Sequence, residues 1–342
     1  MLIAAGAVVL VVGGFTLSRD YGVQSIPATP DLEEVATPTT SSTTSPAVSV
    51  TNPEVSDSIG PGPLDWIYEM VDVAITSDGL VYVAAPTGVA WRGNAGDWVL
   101  VDVEGLPEGT GSDDGYPGRF ISQIVAGPDD SLWATGFATS HADDVEFGGS
   151  VDGWTGGRVL EWVARYHCPV CGEWTVWTSD EVPVLGNGIG DLVVSSEGMV
   201  YASVGEDQLA AFDGQTWESH TAPIPTDSGG VAYPWSGSLA VGTDGVVWAG
   251  TNYHGQGVVA FDGTSFTRYS TGDGLPSGYI HRVAAGGDGT IWAVSDGAGV
   301  ASFDGTTWTT HTTYDGLLSN DALIATGADD TVWAVHPEIH PF

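Results

Sequence analysis

The stretch FDGTTWTTHTTYDGLLSN, Phe303 to Asn320, rewrites FDGTSFTRYSTGDGLPSG, Phe261 to Gly278, at an offset of forty-two residues (303 − 261 = 42). A period in the forties marks a repeat architecture, in which one small unit cannot bury its own faces and stacks on its neighbours. A second signature runs further along the chain. SDGLVYVA (Ser77 to Ala84), PDDSLWAT (Pro128 to Thr135), SEGMVYAS (Ser196 to Ser203), TDGVVWAG (Thr243 to Gly250), GDGTIWAV (Gly287 to Val294) and ADDTVWAV (Ala328 to Val335) each set a turn ahead of a short strand with an aromatic ring. The rings of these six copies, Tyr82, Trp133, Tyr201, Trp248, Trp292 and Trp333, are separated by 51, 68, 47, 44 and 41 residues.

Each unit resolves into four short strands, as in IHRVAAG, TIWAVS, GVASF and TWTTH between Ile280 and His311. Asp-Gly pairs supply the positive φ that tight hairpins need. Four strands per unit without helical periodicity predict an all-β fold, a β-propeller of six blades, or seven if the long second unit hides another. The recurrent rings, with Trp98, Trp217 and Trp308 on outer strands, are expected to pack between blades. Only two strands are evident in the sixth unit, so its outer strands are expected from the N-terminal side, with AVSV near Ala47 as the candidate.

DGLPSG, DGTIWA and FDGTTW together resemble the two-component regulator propeller repeat of bacterial extracytoplasmic sensor heads. EGLPEG (Glu104 to Gly109) and DGLL (Asp315 to Leu318) extend the likeness over most of residues 64 to 342. The resemblance implies a propeller that binds a ligand or a protein partner, and it names no ligand. The turn-plus-Trp half of the motif is also similar to streptogramin lyase repeats. That second likeness implies an alternative, a metal-dependent lyase or hydrolase working at the channel mouth through a histidine and an acid. No histidine here falls on that family's catalytic motif, so no catalytic residue is assigned and the enzyme reading rests on fold analogy.

Ahead of the repeats, Leu2 to Leu17 is an uninterrupted apolar run, slightly short of the ~20 residues of a bilayer span. It lacks a basic n-region and an A-x-A cleavage site, which favours an anchor over residues 1–18 rather than a removed signal peptide. The absence of a preceding Lys or Arg is read as a polypeptide that begins further upstream. Residues 19–62, rich in Ser, Thr and Pro, cannot bury enough apolar surface to fold and read as a disordered stalk. The expected organisation is an anchor, this linker, and a propeller over 63–342 on the extracytoplasmic side of a cell membrane. An architectural envelope protein without a small ligand is the third reading.

The formal charge of −37 comes from 44 acidic residues against seven basic ones, all Arg. With no Lys there is no phosphate-loop or Schiff-base lysine, and so anionic a surface repels nucleic acid. G-x-S-x-G, H-E-x-x-H and calcium-loop patterns are absent, so no cofactor is implied, and Ca or Mg has no motif behind it.

Loop length places the binding surface. Connections between first and second strands and between third and fourth are mostly tight, whereas the long ones, 104–119, 136–157, 221–238 and 251–257, belong to the opposite face. Binding residues usually sit on irregular loops carried by a rigid scaffold. Aligning the units on their turn acids brings Glu69, Phe120, Gly188, Trp235, Tyr279 and Asn320 into register at the channel mouth. With Arg119, Tyr253, His254, His281 and Asp321 close by, the mouth is expected to be ring-lined and acidic, suited to a sugar, a peptide, a cationic small molecule or an envelope protein. HCPVCGEW, His167 to Trp174, carries the chain's two cysteines. Three candidate ligands are too few for a closed zinc site, so Cys168 and Cys171 are read as a local disulfide staple.

Overall fold

The computed structural model describes residues 2–4, 7–9, 22–26 and 71–336, the last span excepting positions 87, 93–97, 102, 104, 110–117, 141–157, 168–172, 187, 206, 223–237, 252–254, 296 and 327–330. Among the described residues all regular structure is strand, apart from short 3-10 turns. Five consecutive units fold as antiparallel four-stranded meanders. Sheet I holds Asp72–Ile75, Val81–Ala85, Gly88–Arg92 and Trp98–Leu100. Sheet II holds Arg119–Ala126, Leu132–Ser140, Arg158–Tyr166 and Trp174–Thr178. Sheet III follows with Ile189–Val194, Val200–Val204, Gln208–Phe212 and Trp217–Thr221. Sheet IV comprises Leu239–Val241, Val247–Thr251, Gly257–Phe261 and Phe266–Tyr269. Sheet V comprises Ile280–Ala285, Ile291–Ser295, Gly299–Phe303 and Trp308–His311, the four strands legible in the repeat.

Sheet VI differs. Its first two strands, Leu323–Thr326 and Val332–His336, are joined by Gly22–Ile26 from the N-terminal side, with Val335 opposite Val23 and Val332 opposite Ile26. The outer strand does come from that side, but from GVQSI inside the expected stalk. AVSV near Ala47 lies outside the described residues. Leu2–Ala4 and Ala7–Val9, within the expected anchor, pair as a small antiparallel hairpin. No helix among the described residues is long and apolar enough to cross a membrane.

The first strands of the six sheets contact one another in chain order, from Asp72–Ile75 through to Leu323–Thr326. This is the layout of a β-propeller, with first strands innermost and successive sheets packed face to face. The second unit is one four-stranded sheet, and its insertion is shorter than expected, because strands run on to Ser140 and resume at Arg158. Tight turns carry the repeat. Gly79, Gly198, Gly245 and Gly289 hold φ of 81 to 86° and 89° at one place in their hairpins, and the second unit puts Asp130 there at φ 60°. Asp tolerates this left-handed region better than most residues.

The rings Tyr82, Trp133, Tyr201, Trp248 and Trp292, with Trp217 and Trp308, pack between sheets, as the sequence predicts. Trp248 of sheet IV meets Tyr269 at 5.6 Å and Phe303 of sheet V at 5.4 Å, while Trp308 completes the cluster. Trp133, Trp177, Phe212 and Trp217 make the corresponding cluster between sheets II and III. The indole N–H groups of Trp248, Trp292 and Trp308 are buried without a hydrogen-bond partner, so these rings serve by area and shape.

Candidate functional site: the long-loop face and the channel behind it

The motif behind the family resemblance turns out to be a plug between sheets. In STGDGL, Ser270 accepts the N–H of Gly272, and Asp273 returns a bond to the N–H of Ser270, closing a capping box around the turn Thr271–Asp273. Gly274, at φ 108°, reverses the chain, and Leu275 drops into the core beside Trp248 and Trp308. Thr312, Asp315, Gly316 and Leu317 repeat the device ahead of sheet VI. Leu106 fills the equivalent place in the first connection.

Arg119 belongs to that device. It is buried, and its guanidinium donates to the carbonyls of Leu106 at 2.8 Å and Pro107 at 3.0 Å and to Glu108 Oε1 at 2.8 Å. All of its charge-assisted bonds are spent on fastening the 105–109 turn. Phe120 is half-buried and stacks on Phe137 at 5.1 Å. Gly278 and Asn320 accept, through their carbonyls, the N–H groups of Gly257 and Gly299, which ties each long connection to the sheet before it.

Tyr279 is different in kind. Its side chain is 55% exposed, and its ring lies over Gly255, where an added Cβ would come within 3.0 to 3.3 Å of three ring carbons. On the same face Tyr314, in the turn Thr313–Asp315, is 98% exposed, and Leu318 just beyond it is also exposed. His281 is half-buried on the innermost strand of sheet V, and Asp321 is exposed beside the turn at Gly297. Glu69, Trp235, Tyr253 and His254 lie outside the described residues, as do Cys168 and Cys171. Among the described residues no group of three or more His, Cys, Asp or Glu is placed to hold a metal ion.

Three residues deeper lies a register that the alignment at the mouth passes over. Six positions ahead of each turn acid stand Asp72, Gln123, Asp191, Ser238, Arg282 and Leu323, all half-buried; all lie on innermost strands except Ser238, which immediately precedes one. Four of them reach the next sheet. Asp72 Oδ2 accepts Ile124 N–H at 2.9 Å, Gln123 Oε1 accepts Leu192 N–H at 2.8 Å, Asp191 Oδ2 accepts Leu239 N–H at 2.6 Å, and Ser238 Oγ accepts Val283 N–H at 2.6 Å. The series stops at Arg282, which bonds to no acceptor among the described residues, and at Leu323. In sheets II, III and V the ladder between first and second strands shifts register immediately before or at this position. Such bulges re-aim side chains.

Charge is concentrated here. Burial pushes the Asp72 carboxyl up to about 6 against the bonds from Ile124 and Val73, with Asp191 adding repulsion and Arg282 attraction. Burial likewise raises Asp191, and it lowers Arg282 against the pull of both carboxylates. Other acids have a plainer task. In each FDG turn one carboxylate oxygen, of Asp213, Asp262 or Asp304, accepts the N–H groups two and three residues on at 2.7 to 2.8 Å. Hydrogen bonds within the turn, led at Asp304 by the Thr306 hydroxyl and at Asp213 and Asp262 by these backbone N–H groups, hold all three carboxyls below the usual range.

The opposite face carries a cleft of about 270 Å³ between sheets II and III, lined by Asp129, Trp133, Arg165 and Glu197 among others. Arg165 lies over the Trp133 ring at 5.5 Å and pairs with Asp129, so the cleft already holds its own cation.

The fold is that of a repeat propeller, with charged side chains among the innermost strands. No protein-family model matches the chain, and no curated protein does. Among solved structures it is similar to virginiamycin B lyase from Staphylococcus aureus, at 10% identity and a TM-score of 0.43 over 80% of this chain and 97% of that one. It is similar also to YCF48 bound to D1 peptide, at 13% identity and 0.46 over 80% and 79%. PorZ, a surface component of the type-IX secretion system of Porphyromonas gingivalis, matches at 12% identity and 0.48 over 78% of this chain and 38% of its own.

Proposed function

We propose that the protein is an extracytoplasmic binding module, a propeller head of the two-component regulator repeat kind that recognises a ligand or protein partner through its long-loop face. In this reading residues 1–18 anchor it to a membrane, and because Gly22–Ile26 already belongs to sheet VI the head sits close to that surface. One observation carries the proposal. Tyr279 offers a mostly exposed ring held against Gly255, in a loop that is fixed to Gly278 by a 2.7 Å backbone bond. A rigid aromatic contact loses little entropy on binding, which is why such residues recur as anchors of interfaces. Tyr314 and Leu318, in the next such connection, are exposed as well.

Thermal unfolding of the full chain with a panel of glycans and peptides tests this reading. A ligand at 100 times its dissociation constant stabilises by about 2.7 kcal/mol, enough to move the midpoint by a few degrees. The expected result is a shift with one chemical class that Tyr279→Ala abolishes without changing the unliganded midpoint. An unchanged shift in Tyr279→Ala would remove the face from the assignment. No shift with any class would favour an architectural protein.

A further inference from the structure

The cleft between sheets II and III is open because two hairpin turns that meet elsewhere do not meet there. Between sheets I and II, Ser77 donates its N–H and its hydroxyl to the Asp130 carboxylate at 2.7 and 3.0 Å, which ties one turn to the next. Between sheets IV and V the corresponding turns touch, and a Cβ on Gly289 would come within 3.3 Å of the Thr243 hydroxyl. In sheets II and III those places hold Pro128, which has no N–H to donate, and Gly198, which has no side chain. A Cβ on Gly198 would meet nothing within 4 Å, and the turns stand apart around about 270 Å³.

Glu197 is released into that space. The acid at its place in sheets I, II, IV and V, which is Asp78, Asp129, Asp244 or Asp288, accepts the N–H two residues further on at 2.9 to 3.3 Å. In sheet III the Ser195 hydroxyl takes that N–H instead, from Met199 at 3.1 Å. Glu197 is exposed and lines the cleft, and among the described residues its carboxylate has no hydrogen bond and no ion pair. On the sheet II side Arg165 stands opposite Trp133 in the strand ladder, its guanidinium carbon 5.5 Å from the ring centroid. Its Nη2 is held by Asp129, which the Ser131 hydroxyl holds in turn at 2.6 Å. The fork is oriented but half used, since among the described residues Nη1 bonds to no acceptor and Nε is buried without one.

One wall thus offers a carboxylate that only accepts and the other a guanidinium that only donates, while Pro128, Val194 and Phe212 add apolar surface. An anion is repelled by two carboxylates against one guanidinium. A simple cation satisfies Glu197 and leaves the guanidinium donors unmatched. A neutral sugar ring answers both walls: one hydroxyl donates to Glu197, a neighbouring hydroxyl oxygen accepts from Arg165, and the C–H face packs on the apolar side chains. The volume lies just below the roughly 300–1,000 Å³ of pockets for drug-sized ligands, which limits the occupant to a single ring. We infer that this cleft binds one neutral sugar residue, with Glu197 and Arg165 as its hydrogen-bonding contacts. The site lies on the face opposite Tyr279 and does not rest on the long-loop reading.

The chain has seven Arg and no Lys, so its guanidinium Nε–H spectrum holds few signals, and Arg165→Lys, which keeps the charge paired with Asp129, identifies the one from Arg165. Titration of the full chain with the methyl glycosides of glucose, galactose, mannose and N-acetylglucosamine is expected to move that signal saturably with one of them. Glu197→Ala removes an exposed side chain with no turn bond to lose, and it is expected to weaken that glycoside by about tenfold or more. Tyr279→Ala is expected to leave the glycoside unchanged. Methylammonium or acetate moving the signal at concentrations as low as the best glycoside would make the cleft an ion pocket. That result overturns the inference, as would an unmoved Arg165 signal with all four glycosides or an affinity unaltered in Glu197→Ala.

Discussion

Asp72 accepts the backbone N–H of Ile124 at 2.9 Å, so a carboxylate on sheet I completes the innermost strand of sheet II. Its burial lifts its pKa to about 6, above the ordinary value of 3.8 that the unfolded chain would show. The folded state therefore binds this proton more tightly than the unfolded one, and the group's contribution to stability grows as pH falls from above 6 towards 4. At about 1.4 kcal/mol per unit, a rise of roughly two units corresponds to about 3 kcal/mol between those limits. Asp72→Asn keeps one acceptor and cannot ionise. Thermal midpoints from pH 4 to 8 should fall less steeply with rising pH in the variant than in the wild type; parallel curves would show that Asp72 is not the group responsible.

The turn acids run the opposite way. Asp213, Asp262, Asp304, Asp273 and Asp315 are held below the ordinary range, chiefly by hydrogen bonds within their own turns. Their contribution is present above the unfolded pKa of about 4 and is lost as pH falls through their folded values. Stability should accordingly peak between about pH 4 and 6 and drop sharply below. Circular dichroism melts across that range read the peak directly, and a midpoint still climbing at pH 3 would contradict the assignment.

Two glycines of the plug separate backbone strain from collision. Gly316 has φ 104° with nothing within 4 Å of an added Cβ, whereas a Cβ on Gly274 would meet the Trp308 carbonyl at 2.8 Å. Gly316→Ala should cost about 1–2 kcal/mol from conformation alone. Gly274→Ala should cost distinctly more, because the obstacle is backbone. Denaturant midpoints decide the order, and equal losses would mean that the clash relaxes freely.

Trp248 tests the aromatic cluster between sheets IV and V. Truncation to Ala should cost about 3–5 kcal/mol. Its indole N–H has no partner, so Trp248→Phe forfeits area but no hydrogen bond and should cost well under half as much. A Phe variant as damaged as the Ala variant would mean that the indole N–H has a role the packing does not show.

Much of this was legible from spacing. The strands of sheet V, the hairpin glycines and the inter-sheet place of Trp133, Trp248 and Trp292 follow from the repeat, because each depends on local sequence that recurs. The channel register was within reach of the same alignment. Asp72, Gln123, Asp191 and Arg282 sit three residues beyond Glu69, Phe120, Gly188 and Tyr279, and their common signal is a polar residue just ahead of an apolar one in an inner strand. What hides Gln123, Asp191 and Arg282 is the bulge, since a one-residue shift in register changes which side chain turns inward. Arg119 was beyond reach for another reason. Its partners are mainly backbone carbonyls, and a sequence carries no mark of which carbonyls lie near.

The strand Gly22–Ile26 is the feature least visible in composition, and it leads to the last prediction. Its sequence, GVQSI, is short and stands within polar chain, yet it covers the free edge of Val332–His336 along five paired residues. Without it sheet VI would be reduced to a hairpin, which is marginal by itself and exposes unpaired N–H and C=O groups. A chain beginning at residue 63, where the repeats start, should therefore melt several degrees below one beginning at residue 19, although both contain every repeat. The shorter chain should also self-associate at high concentration, its open edge pairing with another copy. Matched melts and sedimentation of the two chains measure both effects. Equal midpoints with both chains monomeric would mean that this strand adds nothing to the fold.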